Sequence, residues 1–167
     1  MTIHEIINKI YPLPESSTSL LSGLVQEVSF AKNQIVLQAD KVETNLYFVK
    51  KGILRAYADL PDNEVTFWFG KEGETVLSMK SYVENLPGYE TIETLEDCEL
   101  YELNSEKLKE LFLKDIHIAN WGRKLAEKEL VKTEERLISR QFKTATERYL
   151  ELMNESPDLL RRIQLGH

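Results

Sequence analysis

Leu46-Tyr47-Phe48-Val49-Lys50-Lys51-Gly52 is the stretch whose reading decides the fold. It is apolar and aromatic, too short for a helix of ordinary length, and it stops at a glycine, so it reads as a strand running into a turn. The same pattern extends in both directions. Upstream, Val25, Glu27 and Ser29 alternate with Gln26, Val28 and Phe30, and Gln34 to Leu37 makes another short strand. Downstream, Ile53 to Leu60 and Glu64 to Phe69 flank Pro61-Asp62-Asn63, a hairpin signal because proline and the Asx residues preset turn geometry. Gly70 and Gly73 bracket a further turn, and Thr75 to Met79, Tyr89 to Leu95 and Cys98 to Leu103 complete a set of about eight strands. Short strands at this spacing predict a sandwich, a jelly roll or a closed barrel.

Helices are expected on both sides of the β region. Ile3, Ile6, Ile7 and Ile10 stand at helical spacing, and Tyr11-Pro12-Leu13-Pro14 ends that helix. A second short helix covers Ser16 to Leu21, with Ser16 or Ser17 as its N-cap and Gly23 as its stop. After the strands, Asn104 or Ser105 caps a helix to about Lys114, and another starts near Ile116 and continues well past Arg136. Thr144-Ala145-Thr146-Glu147 fits a capping box, so a fresh helix follows a bend near 139–143 and runs to about Glu155, where Ser156-Pro157-Asp158 ends it. No glycine or proline occurs from Arg123 to Ser156. A β domain feeding one long helix is the plan of a sensor that reports through dimerisation.

Bulk properties narrow the function. A 167-residue chain holds one domain and an appendage. Its 42% hydrophobic and 29% charged content is ordinary for a soluble globular protein, and no apolar run approaches the roughly 20 residues of a membrane span. Met1-Thr2-Ile3-His4-Glu5 lacks the basic and apolar regions of a signal peptide, so the expected location is the cytoplasm. The net charge of −7 argues against a dedicated nucleic-acid surface within the chain. Cys98 is alone, which excludes an internal disulfide or a Cys-ligated cluster and leaves it as a buried strand residue or a redox sensor. The histidines are His4, His117 and His167, none in the β region, so a cupin-type metal enzyme or a haem site is not expected, and no cofactor is. No nucleophile–base pair or P-loop is visible, so no enzyme is expected either.

The long helix carries two series. Ala119, Gly122, Ala126, Leu130, Thr133 and Leu137 are spaced by threes and fours, the narrow seam of a coiled coil, with small residues that admit close backbone approach at one end. Ile118, Trp121 and Leu125 lie beside the seam and can pack on the barrel. The seam is either a homodimer interface or the face by which the helix covers its own domain. Lys124, Lys128, Lys132, Arg136 and Arg140 recur every four residues, interleaved with glutamates, and drift around the helix as a solvated face does.

These elements, in this order, resemble the catabolite-activator type of bacterial transcription regulator, the Crp/Fnr superfamily. Leu46 to Arg55 resembles its strand-turn-strand, Gly73-Glu74-Thr75-Val76-Leu77-Ser78-Met79 the approach to its phosphate-binding cassette, and Leu95 to Leu103 the strand that closes its barrel. The segment from Ile116 resembles the dimerisation helix, Glu147 to Leu152 the first helix of the DNA-binding domain, and Arg162-Ile163-Gln164-Leu165-Gly166-His167 the lead-in to the helix-turn-helix. The resemblance implies an α+β fold: an antiparallel jelly roll (double-stranded β-helix) flanked by short N-terminal helices and followed by a long dimerisation helix. It divides the chain into a sensor domain over 1–115, a dimerisation helix over 116–141, and over 142–167 the start of a DNA-binding domain without its helix-turn-helix. The implied partners are a second copy of the chain, DNA through that further domain and a small-molecule effector, with no membrane.

The departures from the family pattern matter more. Its cyclic-nucleotide binders carry Gly-Glu on a short helix, the glutamate for the ribose hydroxyl, and then Arg-Ser or Arg-Thr, the arginine for the cyclic phosphate. Here Leu77-Ser78 stands in the first place and Gly88-Tyr89 in the second, and no arginine occurs between Arg55 and Arg123. Glu84, Glu90 and Glu93 make the region more acidic, and Lys80 offers only a point charge in exchange. Cyclic AMP is therefore not the expected effector. The effector-pocket candidates are Gly73, Ser78, Met79, Tyr82, Tyr89, Thr91 and Arg123. Tyr82 and Tyr89 stack on a planar ligand or pack the cassette, and Arg123 reaches an anion or makes a surface ion pair. A sensor of a transcription regulator and a barrel-only adaptor that dimerises and binds a protein partner both remain open.

Overall fold

The computed structural model describes residues 1–163. The chain forms two compact units, Met1–Trp121 and the segment from Gly122 onward.

The first unit is a roll of two antiparallel four-stranded sheets. Its strands are β1 (Gln26–Phe30), β2 (Ile35–Leu37), β3 (Asn45–Lys51), β4 (Leu54–Asp59), β5 (Glu64–Gly70), β6 (Thr75–Val76), β7 (Thr91–Thr94) and β8 (Cys98–Asn104). One sheet runs β1-β8-β3-β6 and the other β2-β7-β4-β5, so consecutive strands repeatedly change sheet, as in a jelly roll. Side chains alternate between faces along a strand. Tyr47, Val49, Cys98 and Leu100 of the first sheet thus meet Val36, Leu37, Leu54, Ala56 and Ile92 of the second in one buried cluster. The predicted hairpin is present: the N–H of Leu60 donates to the Asn63 carbonyl at 2.8 Å, and Asp59 pairs with Glu64. Gly52, with φ of 116°, turns β3 into β4, and a Cβ there would lie 2.4 Å from Cys98 Sγ, so position 52 demands glycine twice over.

Helices cover the outer side of β3. Helix α1 (Ile3–Ile10) starts on a Thr2/Glu5 capping box and buries Ile6, Ile7 and Ile10. Phe48, on the opposite face of β3 from Tyr47, meets Trp121 edge-on at 6.1 Å between ring centroids. Trp121 is fully buried, and its indole N–H donates to the Ile7 carbonyl at 3.1 Å. Helix α2 (Glu15–Ser22) begins after Pro14, not on a serine cap: the Thr18 N–H takes the Pro14 carbonyl, and Ser17 Oγ is committed elsewhere, donating to Asp115 Oδ2 at 2.7 Å. Helix α3 (Met79–Glu84) replaces the end of the strand expected over Thr75 to Met79. The chain stays extended at Ser78 and then coils, the Tyr82 N–H bonding the Ser78 carbonyl. Helix α4 (Ser105–Lys114) is capped by Asn104, whose side chain accepts from the Lys107 N–H. Helix α5 spans Ile116–Phe142, and Asp115 caps its start by accepting from the N–H groups of His117 and Ile118.

The second unit holds the rest of α5, then α6 (Ala145–Glu155), which opens on the predicted Thr144/Glu147 capping box. Ser156-Pro157-Asp158 ends α6 but also starts α7 (Pro157–Arg162), a position proline favours because its missing N–H is unneeded in a first turn. Of the expected lead-in to a helix-turn-helix, residues 164–167 lie outside the described residues. Among those described, no helix is long and apolar enough to cross a membrane.

Candidate effector site

The site is built where β6 leaves the first sheet and the chain returns to the second sheet at β7. Helix α3 lies between, and two serines hold it. Ser81 is buried; its Oγ accepts from the Glu43 N–H at 3.1 Å and donates to the Leu86 carbonyl at 2.9 Å. Ser78, also buried, donates to Ser81 Oγ at 3.3 Å. Its hydroxyl faces Gly88 so closely that a Cβ on Gly88 would lie 2.2 Å from Ser78 Oγ. The chain at Gly88 is further clamped to the β2–β3 loop: the Asp40 N–H donates to the Gly88 carbonyl at 3.0 Å, and the Gly88 N–H to the Lys41 carbonyl at 3.4 Å. Thr91 Oγ1 accepts from the Ala39 N–H at 3.2 Å and continues the clamp into β7.

The electrostatics around this loop follow from burial. Glu90 is half-buried, and that burial pushes its carboxyl above the usual carboxylate range, against the opposing pull of nearby backbone N–H dipoles. The Lys80 ammonium donates to Tyr89 Oη at 3.0 Å and lies 4.4 Å from the centre of that ring. Burial raises the Tyr82 phenol, and Lys109 sits over the Tyr82 ring at 5.0 Å and donates to the Tyr82 carbonyl.

The predicted pocket residues divide. Ser78, Met79, Tyr82, Tyr89 and Thr91 lie on or beside the α3–β7 segment. Ser78 and Thr91 are buried structural hydrogen-bonders, whereas Met79 and Tyr89 are exposed, Tyr89 at 73%. Gly73 has φ of 86° and lies against the N-terminal segment: a Cβ there would meet Met1 Sδ at 2.6 Å. Arg123 belongs to the second unit and makes an exposed ion pair with Glu127 at 2.5 Å, the surface alternative of the two expected. Ser81, Gly88 as a contact and the 38–43 loop were not singled out from the sequence. The only signal was the serine three residues after Ser78, on the same face of one helical turn.

The second sheet carries the last arginine before the gap. Leu54 and Ala56 face the core, so Arg55 between them projects from the opposite face, yet it is only 5% exposed. Its guanidinium donates to Glu93 Oε1 at 2.6 Å, Glu64 Oε2 at 2.7 Å and Thr66 Oγ1 at 3.0 Å, and stacks on Tyr57 at 4.3 Å. Three of its N–H groups and one face of the guanidinium plane are thus used within the sheet. Of the glutamates that make the region acidic, Glu93 balances Arg55. Among the described residues no cluster of three or more His, Cys, Asp or Glu could hold a metal ion.

On α5 the seam residues differ in exposure. Gly122 is buried, Ala119 and Ala126 are half-buried, and Leu130, Thr133 and Leu137 are exposed, the two leucines at 67% and 56%. Val131 and Ile138, not part of the predicted seam, repeat seven residues apart beside Leu130 and Leu137 and are exposed too.

Comparison with known proteins places this architecture. A catabolite activator protein from Thermus thermophilus shares 19% identity at a TM-score of 0.66, over 80% of this chain and 62% of that one. A cyclic nucleotide-binding domain from Methylobacillus flagellatus gives a TM-score of 0.74 at 16% identity, covering 83% of this chain and 79% of its own. A transcriptional regulator described as of the Crp/Fnr family, from Eubacterium rectale, gives 0.72 at 19% identity, covering 92% and 74%. This chain spans less than two thirds of the Thermus protein. No curated protein matches the sequence. The family model of the cyclic nucleotide-binding domain matches residues 27–115, from β1 to the end of α4. With more than half of its length so matched, and with a jelly roll shared with Crp/Fnr regulators, this chain belongs to the cyclic nucleotide-binding domain family.

Proposed function

We propose that the chain is the sensing and dimerisation part of a Crp/Fnr-type DNA-binding transcription regulator, and that its barrel does not respond to cyclic AMP. In this reading 1–115 senses, 116–141 dimerises, and 142–167 leads into a DNA-binding domain. The observation that carries the ligand reading is the contact between Ser78 and Gly88. Those two positions correspond to the ribose-binding glutamate and the phosphate-binding arginine of the cyclic-nucleotide binders this chain resembles. Here the Ser78 side-chain hydroxyl lies so close to the Gly88 backbone that a Cβ at position 88 would collide with it, so with Ser78 in place the position of the arginine is filled. Arg55 cannot stand in, because three oxygens and a ring already hold it. Lys80 is bonded to Tyr89, and the half-buried Glu90 adds an acidic residue next to it in sequence. These residues do not fit a cyclic phosphate.

The dimer reading rests on exposed Leu130, Val131, Leu137 and Ile138, which recur at heptad spacing on one helix. Leaving four such side chains in water is costly, and a second copy of the helix would cover them. The alternative of a protein-binding adaptor draws on a different observation: Val83, Leu86 and Tyr89 are exposed together around α3. A thermal-shift series with cyclic AMP tests the ligand reading: an unchanged melting temperature at millimolar nucleotide is expected, and a rise of several degrees would refute it.

A further inference from the structure

The outer edge of a sheet carries unpaired N–H and C=O groups, and a strand of another chain can pair with them. Among the described residues the roll has such edges at β1 and β6 in one sheet and at β2 and β5 in the other. Three of these are guarded. Strand β6 consists of Thr75 and Val76 alone, too short to template a partner. Strand β2 is nearly as short and loses register between Ile35 and Leu37. On β5 the shift between Ala56 and Tyr57 leaves Phe67 out of the pairing, a bulge of the kind that twists an edge away. Strand β1 has none of these devices. Gln26-Glu27-Val28-Ser29-Phe30 pairs with β8 in unbroken register and contains neither proline nor lysine. Its one charge, Glu27, is met by Lys50 Nζ at 2.8 Å. Glu27 and Ser29 are exposed on one face, while Val28 and Phe30 on the other are half-buried against the core cluster.

We propose that the free edge of β1 pairs antiparallel with β1 of a second copy of this chain, about a two-fold axis at Val28, and so joins two four-stranded sheets into one. The strand is self-complementary in this register. Val28 meets its own equivalent, Gln26 meets Phe30, and Glu27 meets Ser29, so no like charges stand opposite each other. Every side chain also keeps its face, the half-buried apolar positions of the two copies lying side by side. Moving the axis to Glu27 pairs only Gln26 to Val28 and sets the two glutamates directly opposite, which is unfavourable. Moving it to Ser29 pairs only Val28 to Phe30. One short strand from each copy buries far less than the roughly 1,200 Å² of a stable interface, so the pairing is weak: absent at micromolar protein and populated at millimolar. It goes beyond the proposed function and does not depend on the α5 seam. A second two-fold contact besides that seam links dimers into longer assemblies.

The test is sedimentation equilibrium of the full chain and its Ser29→Lys and Ser29→Glu variants, from micromolar to millimolar protein at low salt. Ser29 is exposed, so both variants should fold as wild type does. The pairing sets position 29 opposite Glu27 of the other copy, and the two-fold axis does so twice. Lysine there should therefore raise the association constant on the order of fivefold and glutamate should lower it by a similar factor, with the difference shrinking in high salt. The same pair of substitutions in a Leu130→Glu/Leu137→Glu background reads β1 apart from the seam, as a monomer–dimer step at millimolar protein. Amide NMR of that background variant across the same range should shift the signals of β1 with concentration. No association step at millimolar protein even with Ser29→Lys, equal shifts of the same sign in both variants, or concentration-dependent signals confined to other elements would each overturn the proposal. The first of these would leave the edge to a strand of another protein or to none. A full chain that is monomeric at micromolar protein, with the β1 step intact, would defeat the dimerisation helix and spare the edge.

Discussion

Ser78 Oγ lies where a Cβ on Gly88 would need to be, 2.2 Å from it, so the two residues proposed to stand at the family's ligand-holding positions touch each other. The steric conflict is local and reciprocal. Gly88→Ala should cost about 1–3 kcal/mol, the usual range for overpacking. Ser78→Ala, which removes the clashing oxygen and only a long hydrogen bond to Ser81, should recover most of that in the double variant. A double-mutant cycle by denaturant unfolding measures it, and additive effects would mean that the contact is not the constraint.

Arg55 should be the most sensitive charge in the barrel. Its side chain is 7% exposed, and it bonds Glu93, at 17%, and Glu64, at 49%. Arg55→Ala would leave Glu93 in a low-dielectric place without its counter-charge, a loss of about 3 kcal/mol or more. Arg55→Lys should recover under half of it, because an ammonium cannot reach three oxygens and stack on Tyr57 at once. Urea titration of the two variants gives the comparison.

Cys98 should behave as a core residue and not as a redox sensor. Burial, aided by nearby Glu96, pushes its thiol up to about 11. The thiolate is the reactive species, so a thiol reagent at pH 8 should label the native protein only as fast as it opens, and at least about 100-fold faster in urea. The pH effect has a definite sign. The folded pKa is raised above the ordinary value of 9.0, so this thiol's contribution to stability is intact below pH 9 and is lost as pH rises toward 11. Prompt labelling of native protein would contradict the assignment.

The exposed leucines of α5 give the oligomer test. Leu130→Glu with Leu137→Glu should convert a dimer to a monomer in light scattering while leaving the barrel's melting temperature unchanged, because both side chains are exposed. A wild-type monomer would count against the dimerisation helix.

Much of the fold was legible because its signals are local. The Pro61-Asp62-Asn63 turn, the stop at Gly52 and the capping box at Thr144 each need only a few neighbouring residues, and each is formed as expected. The misses are places where a distant residue decides. Ser17 does not cap α2, since its hydroxyl serves Asp115, 98 residues away. Thr75 to Met79 is not one strand, because β6 pairs with β3 only through Thr75 and Val76 before α3 begins. The same holds at the site. The missing arginine was visible in the sequence, but the meeting of Ser78 with Gly88, and the bonding of Gly88 to Asp40 and Lys41, depend on a loop some 50 residues upstream. Tyr89 read as packing the cassette in preference to stacking on a ligand, but it is 73% exposed and carries Lys80 at the surface.

Isothermal titration of the full chain with cyclic AMP and cyclic GMP tests the central claim most directly. The proposed reading, with Ser78 against Gly88, Lys80 on Tyr89 and Arg55 held by Glu64, Glu93 and Thr66, predicts no binding heat at millimolar ligand. Micromolar binding of either nucleotide would contradict the account, since the phosphate would then have found partners that the closed Gly88 position and the occupied Lys80 and Arg55 do not offer.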